Sequence, residues 1–272
     1  MRKVYLILFV IMLSCLGCQW HLKNHHEGDL LGKITVDRYD RVQSLFLTTG
    51  DISALQQLKT VYPMETRTLI EDVLHLGQVN DPQINVKFLS FYQDSTLQSL
   101  IADAEKEYED MDDINQALSE SFKHLLGMLP DFEIPKVYAQ IGSLDQSVIV
   151  DKNRIGICLD KYLGADYALY QNPNYGYSAD QRKMMQRSFI VPDCLGFYLL
   201  SLYPIDQDFT PSKQEHEMHM GKIQWVVNKV MKREVFQNNY VKTVERYMSN
   251  HKNMTVDLLL KNNYFPAPVD SI

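Results

Sequence analysis

The chain has 272 residues, of which 45% are hydrophobic, and its formal net charge at pH 7 is −7. A chain of this length and apolar content buries a substantial core, as one large domain or two small ones. The acidic balance argues against nucleic acid as a partner and against attraction of the whole protein to an anionic lipid surface.

The amino terminus has the pattern of a secretory signal peptide. The basic start Met1-Arg2-Lys3 precedes the apolar run 4–13, which is too short to span a bilayer as a stable anchor. Cys18 follows a small residue at the end of this region and is the predicted site of acylation, with Cys15 as the alternative. Acyl chains such as palmitate on this cysteine would anchor the protein to a membrane without spanning it.

Composition divides the chain into three predicted segments. Residues 1–17 form the signal peptide, residues 18–33 a flexible tether, and residues 34–272 a single globular domain. The tether contains three histidines, and such a tract is either a flexible surface segment or a set of metal ligands. We interpret it as a tether, and we predict neither a metal nor a cofactor for this protein.

Hydrophobic spacing and turn residues predict a mostly helical domain with a small sheet in the middle of the chain. We expect a first strand at 33–39, helices at 51–62, 66–76, from 81 onward and at 95–129, β segments at 137–141, 147–150 and 154–160, and further helices at 178–187, 193–203, 212–231, 234–249 and 256–261. Tight connections between the three central β segments predict an antiparallel hairpin or meander. The fold class is therefore α+β, with a mainly antiparallel sheet.

The most densely patterned stretch is 154–204, which we call the central block. Its alternating strand ends at Asp160, and the loop 161–177 that follows is rich in Tyr, Gly, Asn and Pro. Ser178 is placed to cap a short basic helix, and Asp193 lies close to the start of the next helix.

Three short motifs in the central block carry a family resemblance. They are the run GICLDKYLG at 156–164 with Asp166-Tyr167 and Tyr170 after it, Gln181-Arg182, and the run IVPD at 190–193, to which a later Gly221-Lys222 can be added. On these motifs the chain resembles the gliding motility-associated lipoprotein GldB family, from about residue 34 to the carboxyl terminus. The resemblance implies a lipid-anchored protein of the bacterial cell envelope, on the periplasmic side of the outer membrane. It also implies work with other envelope proteins in or near a gliding or secretion machinery.

No motif in the chain meets the spacing that a catalytic site needs. The nearest is His216-Glu217-Met218-His219, in which the second histidine stands one position short of the zinc-peptidase pattern His-Glu-x-x-His. This near miss and the order of elements point to a zincin-like scaffold without its metal site. Asp160 and Asp193 are either a turn residue and a helix cap or a pair of acid–base carboxylates. The protein is predicted to be non-enzymatic, with a periplasmic hydrolase as the alternative.

The loop 161–177 and the basic helix after it form the predicted contact surface. Tyrosine is favoured where one end of a side chain is buried and the other is wet, as at interfaces. The candidate binding residues are Asp160, Tyr162, Tyr167, Tyr170, Arg182 and Asp193. The basic helix either pairs with the acidic run 103–113 of the same chain or meets a partner.

Two cysteines, Cys158 and Cys194, fall inside the predicted domain. Outside the cytoplasm they either form a disulfide or remain two buried, weakly polar side chains. A disulfide requires that their Cα atoms lie within roughly 7 Å of one another.

Overall fold

The computed structural model describes residues 33–205 and 211–262. The chain divides into Met1–Lys33 and a compact unit, Ile34–Ile272, and all the helices and strands of the described residues belong to the second. The predicted signal peptide, both candidate acylation sites and the tether up to residue 32 lie outside the described residues. Within those residues, no helix is both long enough and apolar enough to cross a membrane.

Six α-helices precede the sheet in the described part of the chain. They are α1 Tyr39–Thr49, α2 Ile52–Thr60, α3 Pro63–Arg67, which continues as a π-helical segment Thr68–Val73, α4 Ile84–Phe91, α5 Ser95–Glu107 and α6 Asp112–Met128. The predicted start of α2 is confirmed, because the side chain of Asp51 accepts a hydrogen bond from the Ala54 amide at 2.6 Å. The helix expected near 66–76 is confirmed by α3 and its π-helical continuation.

The first predicted strand is wrong. Of residues 33–39, only Asp37 makes a β-bridge, to Tyr138, and Tyr39 already begins α1. The amides before the bridge bond to side chains of α6 instead of to a neighbouring strand: Ile34 N lies 2.9 Å from Ser119 Oγ, and Val36 N lies 2.8 Å from Asn115 Oδ1. Helix α6 thus takes the donors that a strand would have used.

The predicted continuous helix 95–129 is broken between α5 and α6. Arg187 donates to the carbonyl oxygens of Glu107 and Asp110, at 3.1 and 2.7 Å, and so satisfies acceptors in the break. The Asp110 carboxylate accepts the amide of Asp112, the first residue of α6, at 2.6 Å. The break depends on an arginine far away in sequence, which helical periodicity does not reveal.

The sheet has three strands, β1 Lys136–Gln140, β2 Val148–Asp151 and β3 Arg154–Cys158, in the order β1-β3-β2. The α+β class and the β2–β3 hairpin are confirmed. Of the two predicted alternatives the structure has the hairpin and not the meander, because β1 pairs with β3 in parallel, and the sheet is mixed rather than mainly antiparallel. Since Gln140 lies opposite Cys158, the residues two positions further on, Gly142 and Asp160, emerge at the same edge of the sheet.

The second half of the chain returns to helices. It contains a 3₁₀ turn Leu159–Lys161, α7 Ala168–Gln171, a 3₁₀ turn Pro173–Tyr175, α8 Ala179–Met184, a 3₁₀ turn Arg187–Phe189, α9 Ile190–Leu202, α10 Lys213–Met231, α11 Asn239–Asn250 and α12 Val256–Lys261. The capping role of Ser178 is confirmed by a capping box with Gln181. Helix α8 ends before Arg187, however, and α11 begins at Asn239 rather than near 234.

One main apolar core joins these elements, with α1 against β1, α9 against β2 and β3, and α10 against α6, α9 and α11. A separate small cluster contains the buried side chains of Leu100, Leu144, Tyr170 and Met185. This second cluster lies under the central block and gives its loop an apolar support of its own.

Cys158 and Cys194 are both buried, and both are free thiols. Burial raises the pKa of each thiol well above its ordinary value. The structure therefore agrees with the alternative of two buried side chains and not with the disulfide.

Two helical glycines provide a matched test of the packing. A Cβ atom at Gly221 in α10 would lie 2.5 Å from Tyr240 Cβ, whereas one at Gly196 in α9 would meet nothing within 4 Å. Gly221→Ala should lower the free energy of unfolding by about 1–3 kcal/mol through overpacking. Gly196→Ala should raise it by about 0.5–1 kcal/mol through helix propensity. Urea unfolding measures both, and equal stabilities of the two variants would contradict the close contact between α10 and α11.

Candidate partner-binding site

Asp160 is the buried centre of the central block. It follows β3, and its two carboxylate oxygens accept the amides of Gly142, at 2.6 Å, and of Leu144, at 2.8 Å. Burial raises the pKa of this carboxyl group, and the two backbone hydrogen bonds oppose that rise. A side chain at position 142 would press on the carboxylate, since a Cβ atom there would lie 3.3 Å from Asp160 Oδ1. Asp160 thus fastens the loop after β1 to the end of β3.

Lys161 fastens the same loop from its other side. Its Nζ donates to the Leu144 carbonyl oxygen at 2.9 Å and to the Tyr177 hydroxyl at 3.0 Å. The Tyr177 hydroxyl also donates to the Leu144 carbonyl oxygen. Burial lowers the pKa of Lys161, and the neighbouring Asp160 opposes this shift. One loop residue, Leu144, is therefore held at both its amide and its carbonyl group.

Tyr170 holds the long loop against this centre. Its hydroxyl donates to the Asp160 carbonyl oxygen at 2.5 Å and accepts the Leu163 amide at 3.0 Å. The side chain is only 1% exposed and belongs to the small apolar cluster under the block. Tyr170 is consequently a support of the loop, and its ring is not offered to a partner.

Tyr162 and Asp193 form a second buried contact. The Tyr162 hydroxyl donates to Asp193 Oδ2 at 2.7 Å, and the Tyr162 carbonyl oxygen accepts the Tyr108 hydroxyl at 2.5 Å. Asp193 lies in the first turn of α9 but does not cap it. Burial raises the pKa of Asp193 from its ordinary 3.8 to about 6, against the lowering effect of the Tyr162 hydrogen bond. This pair ties the loop to α9.

The outer side of the block carries a row of aromatic rings. Tyr167 packs edge to face on Tyr170, Tyr170 on Tyr177, and Tyr177 stacks with Tyr175 at 6.2 Å between ring centroids. Tyr175 is 37% exposed, and Met184 on α8 is 40% exposed. We give the name tyrosine face to Tyr167, Tyr175 and Tyr177 together with the exposed Met184 of the helix that follows them.

The basic residues beside this face are used within the molecule. Arg182 donates to the Tyr177 carbonyl oxygen at 2.8 Å, and Lys183 pairs with Asp180 at 2.8 Å. Arg187 makes a two-pronged contact with the Asp113 carboxylate, at 2.6 and 2.9 Å. This contact lowers the pKa of Asp113. The basic segment was expected either to pair with the acidic run 103–113 or to meet a partner, and Arg187 pairs with the acidic run.

The six candidate residues therefore fall into two groups. Asp160, Tyr162 and Tyr170 are buried, and Asp193 is largely enclosed with its carboxylate bonded to Tyr162, so these side chains position the loop. Tyr167 and Arg182 are half-buried and reach the surface. Sequence analysis missed Gly142, Leu144 and Tyr108, the distant partners of the block, and Met184 on its outer side. No local pattern marks Gly142, Leu144 and Tyr108, because their roles arise from contacts far along the chain.

The residues of the alternative hydrolase hypothesis have separate partners. Asp160 binds two amides and Asp193 binds Tyr162, while His219 is buried with Nε2 2.8 Å from the Tyr203 carbonyl oxygen. His216 is exposed on α10. Within residues 33–205 and 211–262, no three His, Cys, Asp or Glu side chains are grouped so that they could hold a metal ion.

The fold defines a mostly helical α+β protein with a small mixed sheet, in which a buried carboxylate organises an aromatic loop. The family model of the gliding motility protein GldB matches residues 24–237, so the chain belongs to the GldB family. No curated protein and no solved structure matches the chain. The zincin-like topology accordingly stays a prediction.

The Asp193 carboxyl group should give the protein a measurable pH dependence. Because the pKa of Asp193 is higher in the folded protein, the unfolded chain releases this proton at a lower pH than the folded protein does. The stability that the protonated carboxyl group contributes is therefore lost as the pH rises from about 4 to about 6. Asp193→Asn removes the titration and keeps an acceptor for Tyr162. Between about pH 4 and pH 7 the wild type should lose up to about 3 kcal/mol of unfolding free energy that the variant does not lose. The unfolding free energy of the variant relative to that of the wild type should therefore increase by this amount. Urea unfolding at both pH values measures the difference, and a constant difference would contradict the assignment.

Tyr170 and Tyr167 allow the same hydroxyl deletion at a buried and at a surface site. Tyr170→Phe leaves the Asp160 carbonyl oxygen and the Leu163 amide without their partner and should destabilise the protein by about 1–3 kcal/mol. Tyr167→Phe removes a bond to Asp103 at the surface and should change stability by less than about 0.5 kcal/mol. Thermal or urea unfolding of the two variants compares them. Similar losses at both positions would show that the hydroxyl of Tyr170 has no special supporting role.

Proposed function

We propose that this protein is a lipid-anchored, non-enzymatic component of the cell envelope that binds other envelope proteins through the tyrosine face. The process is of the gliding or secretion type, because the chain belongs to a family of gliding motility proteins. The protein acts as a fixed binding element, and its chemistry is recognition rather than bond breaking.

The observation that carries the proposal is that the central block is internally bonded and yet leaves two large hydrophobic side chains, Tyr175 and Met184, exposed at its surface. The polar groups at the centre of the block form hydrogen bonds within it. They belong to Asp160, Lys161, Tyr162, Tyr170 and Asp193. Among the exposed side chains of the block, which are mostly polar, Tyr175 and Met184 are large and hydrophobic and belong to residue types that are enriched at protein interfaces. A rigid loop presenting aromatic side chains loses little conformational entropy when a partner binds.

A shallow cleft of about 410 Å³ adds shape to this region. It lies between the loop and the acidic helices, and Gly164, Gln186, Arg187 and Asp113 are among its lining residues. Backbone pairing of Leu163 with Gln186 and the Arg187–Asp113 contact keep its walls in place. The cleft gives a partner a recess beside the tyrosine face.

Anchoring at Cys18 is the part of the proposal that a substitution tests directly. Cys18→Ser should abolish palmitate incorporation and release the protein from washed membranes, while Cys15→Ser should leave both unchanged. Metabolic labelling and membrane fractionation of the two variants measure this. The reverse result would assign the lipid to Cys15, and a membrane-bound, unlabelled protein in both variants would refute the lipoprotein assignment.

The partner-binding role has its own test, with a control of matched chemistry. Tyr175→Ser with Met184→Ser should reduce the recovery of cross-linked envelope partners at least about tenfold, as expected when central interface residues are lost. Ile52→Ser with Val86→Ser removes side chains that are 76% and 68% exposed on the amino-terminal helices and should leave recovery unchanged. Quantitative mass spectrometry of captured proteins compares the two double variants. Equal recoveries from folded variants would exclude the tyrosine face as the contact surface.

A further inference from the structure

A cleft rich in basic residues lies at the other end of the sequence, between the end of α10 and the first turns of α11. Its volume is about 740 Å³. Five basic residues line it: Lys229, Lys232, Arg233, Lys242 and Arg246. Only two acidic residues accompany them, so the lining carries an excess of three positive charges in a chain whose net charge is −7. We call this site the basic cleft.

The two acidic residues of the basic cleft are already engaged. Glu245 pairs with Lys229 at 2.8 Å and accepts the Trp225 indole N–H at 2.6 Å, and the Lys229 bond lowers its pKa. Glu234 accepts the Gln237 side-chain amide at 3.1 Å. By contrast, Lys232, Lys242 and Arg246 form no ion pair with any other described residue. Their positive charges are left to solvent or to a ligand.

Two features of the basic cleft cost stability and are not explained by packing. Lys232 has a φ of 52°, a left-handed conformation that glycine or asparagine adopts at lower cost at a helix end. Lys242 and Arg246 are four residues apart on α11, where like charges repel one another. Residues that destabilise the fold are often found at ligand-binding sites.

The floor of the basic cleft is apolar and well supported. Trp225, Phe236 and Val241 line it beneath the charged rim. The side chain of Asn228 accepts the amides of Val235 and Phe236, at 2.9 and 3.0 Å, and so fixes the connection between α10 and α11. The cleft thus has an ordered shape, with an apolar floor that suits the body of a ligand.

We propose that the basic cleft binds a phosphate-bearing ligand whose apolar or ring portion rests on Trp225 and Phe236. A phosphate group carries up to two negative charges and accepts bonds from both arginine forks and lysine ammonium groups. Lys232, Lys242 and Arg246 are the contacts to the phosphate. Part of the site, including Lys242 and Arg246, lies beyond residue 237, where the family match ends. The proposal is independent of the tyrosine face.

Trp225 provides the signal for a direct binding test. The chain has two tryptophans, so Trp20→Phe leaves Trp225 as the only source of indole fluorescence. The processed protein is titrated in neutral detergent micelles with pyrophosphate, and separately with phosphatidylglycerol or phosphatidylcholine added to the micelles. A saturable change with pyrophosphate identifies a soluble phosphate compound as sufficient. A change with phosphatidylglycerol alone identifies a lipid headgroup, and either result supports the proposal.

Lys232 and Lys152 have the same left-handed backbone conformation, so the same substitution at each gives a binding variant and its control. Lys232→Gly should stabilise the fold, because it relieves the left-handed strain, yet weaken binding at least about tenfold by removing a charged contact. Lys152→Gly makes the same change at a φ of 51° in the β2–β3 turn and should stabilise the fold without changing binding. Lys242→Ala should weaken binding as Lys232→Gly does. No response of Trp225 to any phosphate probe, or equal binding by the two glycine variants, would overturn the proposal.

Discussion

The structure of the central block depends on one buried carboxylate. Asp160 is fully enclosed, and an enclosed carboxylate is tolerated only when its oxygens are hydrogen-bonded. The amides of Gly142 and Leu144 meet this requirement, because the parallel pairing of β1 with β3 brings them to the same edge of the sheet as Asp160. The contact fixes the loop after β1, and the carbonyl oxygen of Asp160 accepts the hydroxyl of Tyr170. The motif that marks the family is, in physical terms, largely a device for holding a loop.

This arrangement separates support from recognition. The polar groups around Asp160 are satisfied inside, whereas Tyr175 and Met184 stay exposed among the polar side chains of the surface. The basic cleft is built in the opposite way, since three of its five cations, Lys232, Lys242 and Arg246, form no ion pair with a described residue and its apolar groups form the floor. On our two proposals, one chain carries a protein-binding surface and a cationic cleft, formed by different helices. The overall acidic charge describes neither of them, because recognition depends on local charge.

Local sequence signals predicted what depends on neighbouring residues. The helix start at Asp51, the cap at Ser178, the β2–β3 hairpin and the α+β order are all of this kind. Features that depend on distant contacts were missed. Helix α5 stops where Arg187 binds its end, and β1 pairs in parallel with β3, which is distant in sequence.

The candidate site shows the same limit at the level of single side chains. Tyr167 and Tyr170 look alike in the sequence, yet a short helix turns Tyr170 inward and leaves Tyr167 at the surface. The central role of Asp160 is tested most directly by amide hydrogen exchange at Gly142 and Leu144 in the wild type and in Asp160→Asn. Because asparagine offers one acceptor oxygen where the carboxylate offers two, at least one of these amides should exchange at least about tenfold faster in the variant. Unchanged protection of both amides in a folded variant would contradict that role.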